Sequence, residues 1–403
     1  MGITRSGRRR SAVKIWAIML LVGATAFVSA CGSTYGTEVH ANGEFADMIK
    51  PAVSVTDTAG KALDKNEVDV QPGQPIVVKA TEGAITDVKI KKASGGYIKG
   101  DVSDDGATWT SAEAFGYGRT YSVKATASGV GGTTTSTTRF TTRSPENQTA
   151  AYISPPDGET VGVAQTVGVR FDEPIADREA AQKAITITTN PKTEGAFYWI
   201  SDQEVRWRPK EFWKTGTKVD VKVNIFGIDL GAGTFGQDNV SSSFKVGRDM
   251  QLSVDDSNKM VVVKRDGKVI RRMPTSLGKD ATPTDNGIYI IGDRLDHIIM
   301  DSSTYGVPTN SPDGYRTPID YATQMSYSGI YLHALPATVW AQGNTNTSHG
   351  CLNLSNEDAL WVVQNTLRGD PVTVSGTVGG TLSGTDGLGD WNIPWSEWSK
   401  GNA

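Results

Sequence analysis

The chain has 403 residues, 37% of them hydrophobic and 21% charged, an ordinary composition for soluble globular protein but too long for a single core. Five basic residues (Arg5, Arg8, Arg9, Arg10, Lys14) fall within residues 1–31, which hold no acid, so the remainder carries 35 basic against 44 acidic residues. That acidic balance excludes nucleic acid as a partner, because neutralising phosphates needs clustered Lys and Arg.

The basic start precedes an apolar run from Ile15 to Val28, short for a bilayer span. It closes on Val28-Ser29-Ala30-Cys31-Gly32-Ser33. Small residues before a cysteine resemble the bacterial lipobox. The implied product is an exported protein, acylated on Cys31 and held on the outer face of the cell membrane, where two or more acyl chains make a stable anchor. A plain cleaved signal or an uncleaved anchor is the alternative. Residues 32–45 are small and polar, a tether that would reach roughly 45 Å at about 3.3 Å per residue.

Abundant Gly, Thr and Val and few long helical periods make the chain mainly β. Over residues 46–147, strands are expected at Ala52–Thr56, Pro75–Ala80, Ile85–Lys91, Thr120–Ala127 and Thr133–Thr142. After a break at Arg143-Ser144-Pro145, a second series over residues 148–250 comprises Val167–Phe171, Ala184–Thr189, Ala196–Ile200, Glu204–Pro209, Lys218–Asn224 and Ser241–Val246, with a short helix at Ala176–Lys183. Two tandem immunoglobulin-like sandwiches are the simplest account, in architecture only, since the Cys…Trp…Cys framework is missing.

Residues 251–378 change character. A hairpin is expected around Asp266-Gly267, then strands at Gly287–Ile291 and His297–Met300. A Ser, Gly, Pro and Tyr-rich stretch from Asp301 to about Ile319 has the length of a lid or binding loop, and Tyr327–His333 follows as a strand. One main helix opens at Ser355 with Asp358 three residues on, buries Ala359, Val362, Val363 and Leu367, and stops at Gly369. Pro371–Val374 returns as a strand. The tail, residues 379–403, holds Trp391, Trp395 and Trp398, three rings suited to gluing the terminus onto a neighbouring domain, or to stacking on sugar.

Cys31 and Cys351 are the two cysteines. If lipid consumes the first, Cys351 is a lone thiol in an oxidising setting, where a reason for keeping it is needed. Two of four histidines lie close by: His333, then fourteen residues, then Ser348-His349-Gly350-Cys351-Leu352-Asn353. Alternation along extended chain puts His349, Cys351 and Asn353 on one face, and His333 on a face with Tyr331. An imidazole could take the thiol proton, the helix near Ser355 could add a favourable dipole, and N–H groups around Gly350 and Cys351 could form an oxyanion hole. Spacing leaves two other readings open: a buried structural thiol, and a zinc site, which would lack a fourth ligand and any CxxC or HExxH signature.

At these residues the sequence resembles the L,D-transpeptidase (YkuD-type) family, whose motif is a histidine, fourteen to seventeen residues, then [Ser/Thr]-His-Gly-Cys, a hydrophobic residue and Asn or Arg. His333, Ser348, His349, Gly350, Cys351, Leu352 and Asn353 fit it. With two sandwiches, a lid and a Trp-rich tail, the likeness extends to the actinobacterial lipoprotein members. The resemblance implies a β-rich catalytic domain without cofactor or metal. Cys351 is then the nucleophile, His333 the base and His349 a shaper of the site. Tyr315, Ser328, Gly329, Gly350 and Asn353 hold substrate or oxyanion, and Met300 and Tyr305 line the acyl-donor pocket. It implies tetrapeptide stems of peptidoglycan as donor and acceptor, release of D-Ala, cross-links between third (diaminopimelate) residues, and inactivation by carbapenems. An L,D-carboxypeptidase on the same scaffold, or a non-catalytic wall-binding lipoprotein, are the alternatives. One departure stands beside the base: Ala334, where close relatives commonly have Ser.

Overall fold

The computed structural model describes residues 47–92, 95–311 and 314–403; Cys31 and the tether lie outside them. The chain is mainly β. Near the N-terminus, Ala52–Thr56, Val77–Thr81, Thr108–Ser111 and Gly100–Val102 form one sheet, and Glu67–Val70, Gly132–Thr142, Thr120–Gly129 and Ala84–Ile90 another. Inward residues of both, among them Val78, Trp109, Ile90, Val123 and Phe140, share one core. The strands at 67–70, 100–102 and 108–111 are short and polar, which hid them from a pattern search.

A second pair of sheets follows. Ala151–Ser154, Val167–Phe171, Glu204–Pro209 and Gly195–Trp199 face Thr160–Val161, Val240–Val246, Lys218–Val223 and Ile185–Asn190 across a core that includes Phe171, Trp199, Val221 and Phe244. The helix is shorter than expected, Arg178–Lys183, because Asp177 caps it by accepting from Ala180 N. The two sandwiches meet at Tyr117, whose hydroxyl donates to Gly236 O at 2.6 Å and accepts from Gly227 N at 2.9 Å.

The third unit has a five-stranded sheet ordered Lys268–Pro274, Met260–Arg265, Met250–Asp255, Pro371–Ser375 and Gly287–Ile290. Arg265 pairs with Lys268 across a two-residue turn in which Asp266 and Gly267 both have positive φ, as such hairpins require. A four-stranded sheet follows in the order Arg294–Asp301, Arg316–Gln324, Tyr331–Ala334 and Leu352–Leu354. Leu252, Val254, Tyr289, Leu332, Leu352 and Val362 join both sheets and the helix Asn356–Asn365 in one core. Ser355 caps that helix, accepting from Asp358 N at 3.1 Å. The helix ends at Asn365, short of Gly369, because Thr366 Oγ1 takes the Val362 carbonyl at 2.7 Å and the chain turns extended there.

Two expectations near the site need correction. Residues 316–319 belong to a strand that pairs with Arg294–Asp301, so the loop is the tip of a long hairpin, opened by a short 3-10 turn at Ser302–Tyr305. The strand drawn as Tyr327–His333 begins at Tyr331; residues before it form a turn, with φ of +100° at Gly329.

The catalytic-region sheet is fastened to the second sandwich in two ways. Gly162 donates to Arg368 O and Ala164 to Gly369 O; a Cβ on Gly162 would sit 2.2 Å from Asp370 N, so that approach requires glycine. The tail returns to the sandwich, where the Arg208 guanidinium lies 4.5 Å from the rings of both Trp391 and Trp398 and 5.4 Å from Trp395. Arg208 also donates to Ile393 O at 2.7 Å, and Trp391 Nε1 to Ala164 O at 2.8 Å. Gluing, then, is what the three tryptophans do. Burial pulls the Arg208 pKa down to about 10, so it stays charged at neutral pH and needs those ring faces. Arg208→Ala is expected to cost about 2–4 kcal/mol, since it removes several desolvated cation–π contacts and strands a buried carbonyl. The check is the denaturant midpoint; an unchanged midpoint would show the tail to be an ornament.

Candidate active site

Alternation and parallel pairing bring the motif together. Leu332 sits opposite Leu352 and His333 opposite Asn353, so the leucines enter the core while His333 and Asn353 face the other side. Cys351 immediately precedes the strand Leu352–Leu354. A cavity of about 240 Å³ opens there, lined by Met300, Tyr315, His333, His349, Cys351 and Asn353, with Thr317, Ile319, Leu335, Thr338, Thr347 and Ser348 completing its wall.

The turn before Cys351 is built by hydroxyls. Ser348 Oγ donates to Cys351 O at 2.6 Å and accepts from Gly350 N at 3.1 Å. Thr284 Oγ1 donates to Gly350 O at 2.7 Å. Gly350 has φ of +119°, and a Cβ there would lie 2.7 Å from Ile330 Cδ1. Any larger residue would be strained and would push on the neighbouring turn. Ser348, His349 and Gly350 thus form a rigid bend that sets the sulfur's position.

Cys351 is buried, 8% exposed, at the cavity floor. Its Sγ donates to Gly329 O at 3.5 Å. Burial pushes the thiol up to about 11, against a smaller opposite pull from a backbone hydrogen bond of Tyr331. In this state burial dominates and favours the protonated thiol, so the imidazole's help is needed when the sulfur attacks.

His333 is also buried, and burial lowers its pKa below the usual imidazole value. Its Nδ1 lies 3.1 Å from Ala334 O. A carbonyl only accepts, so Nδ1 carries the hydrogen and Nε2 keeps a lone pair. The orienting contact uses backbone, and the Ala at position 334 removes nothing from it. His349 differs: it is exposed at the rim, its Nε2 is 3.2 Å from Lys279 Nζ, and its ring centroid is 5.6 Å from that of Tyr315.

Some expected donors are otherwise engaged. Gly350 N is spent on Ser348, so it is not an open oxyanion donor. Gly329 meets the sulfur through its carbonyl, an acceptor. Ser328 does not line the cavity; its hydroxyl donates to Ser326 Oγ at 3.1 Å and its N–H to Asp386 at 2.9 Å. The Tyr305 side chain lies outside the described residues. Sequence reasoning missed Lys279 and Thr284, which stand some seventy residues before the motif, and Asp386, whose carboxylate also accepts from Tyr327 N at 2.7 Å. A lone Asp in a Gly-rich tail gives no sequence signal.

Comparison with known proteins is decisive at this point. Residues 249–374 match the L,D-transpeptidase catalytic domain family, and residues 67–229 a bacterial Ig domain family in one span across both sandwiches. The whole chain is 49% identical to L,D-transpeptidase 2 of Mycobacterium tuberculosis, over 99% of that protein's length. The chain belongs to the L,D-transpeptidase family. It is also 34% identical to L,D-transpeptidase 5 of the same organism, over 82% of this chain and 73% of the other. A solved LD transpeptidase in complex with imipenem superposes with a TM-score of 0.50 at 36% identity, covering 57% of this chain and all of that one.

In this L,D-transpeptidase burial favours the neutral form of both groups that share the cavity, the Cys351 thiol and the His333 imidazole. The thiol, raised to about 11, becomes thiolate only as pH climbs toward that value. Burial lowers His333, so its base form is lost only on acidification past its depressed pKa. Alkylation of Cys351 by iodoacetamide is expected to keep accelerating above about pH 9, where an ordinary thiol has levelled off. A plateau reached by pH 8 would reveal a preformed thiolate–imidazolium pair instead.

Proposed function

We propose that this enzyme is a peptidoglycan L,D-transpeptidase that joins the third residues, diaminopimelate to diaminopimelate, of two peptide stems through a Cys351 thioester. The observation that carries this reading is the buried Cys351 sulfur on a cavity floor shared with a His333 whose Nδ1–H is fixed on Ala334 O. That tautomer is the one a general base needs, since Nε2 can receive the thiol proton as sulfur attacks.

The sulfur attacks the carbonyl carbon of the bond between diaminopimelate and terminal D-Ala. The proton passes from sulfur to His333 Nε2, then to the departing nitrogen. D-Ala leaves and a thioester remains. The side-chain amine of a second stem then attacks the thioester carbon, His333 takes its proton, and sulfur recovers one. Asn353 and Tyr315 hold the donor stem, Met300 lines its channel, and His349 with Gly350 shapes the floor. The hairpin tip around Ser302–Tyr315 screens the thioester from water, which favours amine over hydrolysis.

Carbapenems acylate the same sulfur, a reading supported by the imipenem complex of the 36% identical relative. We further propose that residues 1–31 are a signal peptide, that Cys31 is lipidated, and that the chain acts outside the cell membrane. In that arrangement 32–45 is a tether, 46–147 and 148–250 are Ig-like spacers, 251–378 is catalytic and 379–403 is a docking tail. The test is mass spectrometry of products from a defined tetrapeptide stem. A cross-linked dimer with loss of D-Ala is expected; tripeptide alone would make the enzyme an L,D-carboxypeptidase.

A further inference from the structure

The first sandwich carries a feature that catalysis does not use. Lys89 sits directly opposite Lys124 on paired strands, and Arg139 lies opposite Ser122 on the next strand. Ile90, Val123, Ala125 and Phe140 alternate into the core, so Lys89, Lys124 and Arg139 all point outward from one sheet face. Lys91 continues the outward alternation of Lys89 and pairs with Tyr97, which is 54% exposed. Like charges placed opposite each other on a sheet repel, yet this face has them in a mature chain that is acidic overall.

The acids nearby neutralise only part of it. Asp87 pairs with Lys89 at 2.9 Å. On the adjoining strand, Glu67 is held by Lys61 at 2.9 Å and Asp69 by Arg143 at 2.6 Å. Among the described residues, Lys91, Lys124 and Arg139 have no carboxylate partner. Around the cations runs a ladder of hydroxyls, with cross-strand contacts Thr120–Thr141, Thr126–Thr135 and Ser128–Thr133 at 2.9, 3.0 and 2.9 Å. Flat hydroxyl rows hydrogen-bond sugar, an exposed ring stacks on it, and free cations attract carboxylates.

We propose that this face, centred on Lys124 and Arg139, docks the glycan strand of peptidoglycan with its carboxylate-bearing stems. The proposal rests on the transpeptidase reading for the identity of the polymer, and extends it by giving the first sandwich a binding role. Docking there would hold the catalytic unit near stems and raise their effective concentration without a new contact at Cys351.

The test is cosedimentation of the full chain, in detergent, with insoluble peptidoglycan sacculi, in a Cys351→Ala background so that turnover plays no part. Lys124→Glu with Arg139→Glu is expected to weaken binding by roughly ten-fold and to flatten its salt dependence. Neutral Lys124→Gln with Arg139→Gln should fall between, with thermal midpoints unchanged. Sacculi stripped of their stems by an amidase should lose wild-type binding. Equal binding by the charge-reversed and wild-type chains overturns the proposal, as does full binding to stripped sacculi. Carbapenem acylation of the Cys351-containing Lys124→Glu/Arg139→Glu chain separates the two readings: a missing adduct there and in wild type indicts the catalytic reading, while the sedimentation result judges the docking face by itself.

Discussion

Cys351→Ala is expected to leave a folded protein that forms no carbapenem adduct by intact mass and makes cross-linked product at least about a thousand-fold more slowly, the scale left when a covalent nucleophile is lost and only binding and positioning remain. The fold should tolerate the change. The side chain is small, and its neighbours in the local cluster, Met300, Ile319, Ala322 and Tyr331, make a partly open wall rather than a sealed core. The bend before it is held by Ser348 and Thr284, whose bonds run to backbone and do not need the sulfur. Stability should therefore move by no more than about 1–2 kcal/mol. Adduct formation that persisted in Cys351→Ala would move the nucleophile elsewhere, and no adduct on the wild type would revive a non-catalytic role.

Much of this arrangement was legible from residues alone, for identifiable reasons. Strands such as Val167–Phe171 and Glu204–Pro209 announce themselves by apolar residues at alternate positions, and Asp266-Gly267 by the positive φ its turn demands. The grouping of His349, Cys351 and Asn353 expected from alternation is found, since all three line one cavity, but a bend at Gly350 rather than extended chain places the first two. What could not be read was anything fixed by long-range contact. The Tyr327–Gly329 turn looked like strand because Tyr, Ile and Leu favour strands, but Asp386 takes two of its N–H groups and bends it away. The thiol's proton affinity was invisible as well. Sequence showed the imidazole and the helix, which favour thiolate; only burial, a tertiary property, shows that desolvation wins in the resting state. Even the tail needed structure to choose between sugar and sandwich, since only the position of Arg208 among the rings decides it.

The two imidazoles divide unequally, and this gives the second large effect. His333→Ala is expected to slow acylation and product formation by about 10²–10⁴-fold, the range for losing a positioned general base, with its acid limb abolished. His349→Ala should retain most activity, with a change of less than about ten-fold. His333 is buried, its Nδ1–H is committed to Ala334 O, and its Nε2 is the one basic nitrogen left for the sulfur's proton. His349 is exposed on the rim and faces Lys279 and Tyr315. Its Nε2 meets Lys279 Nζ at 3.2 Å, and an ammonium only donates, so that lone pair is already engaged. Because the carbonyl of residue 334 orients His333, Ala334→Ser should leave the rate within about three-fold, a hydroxyl adding at most one more modest contact. Acylation rates for the three variants across pH decide the matter. If His349→Ala abolishes turnover while His333→Ala keeps it, the roles are reversed, and the buried imidazole is merely part of the wall.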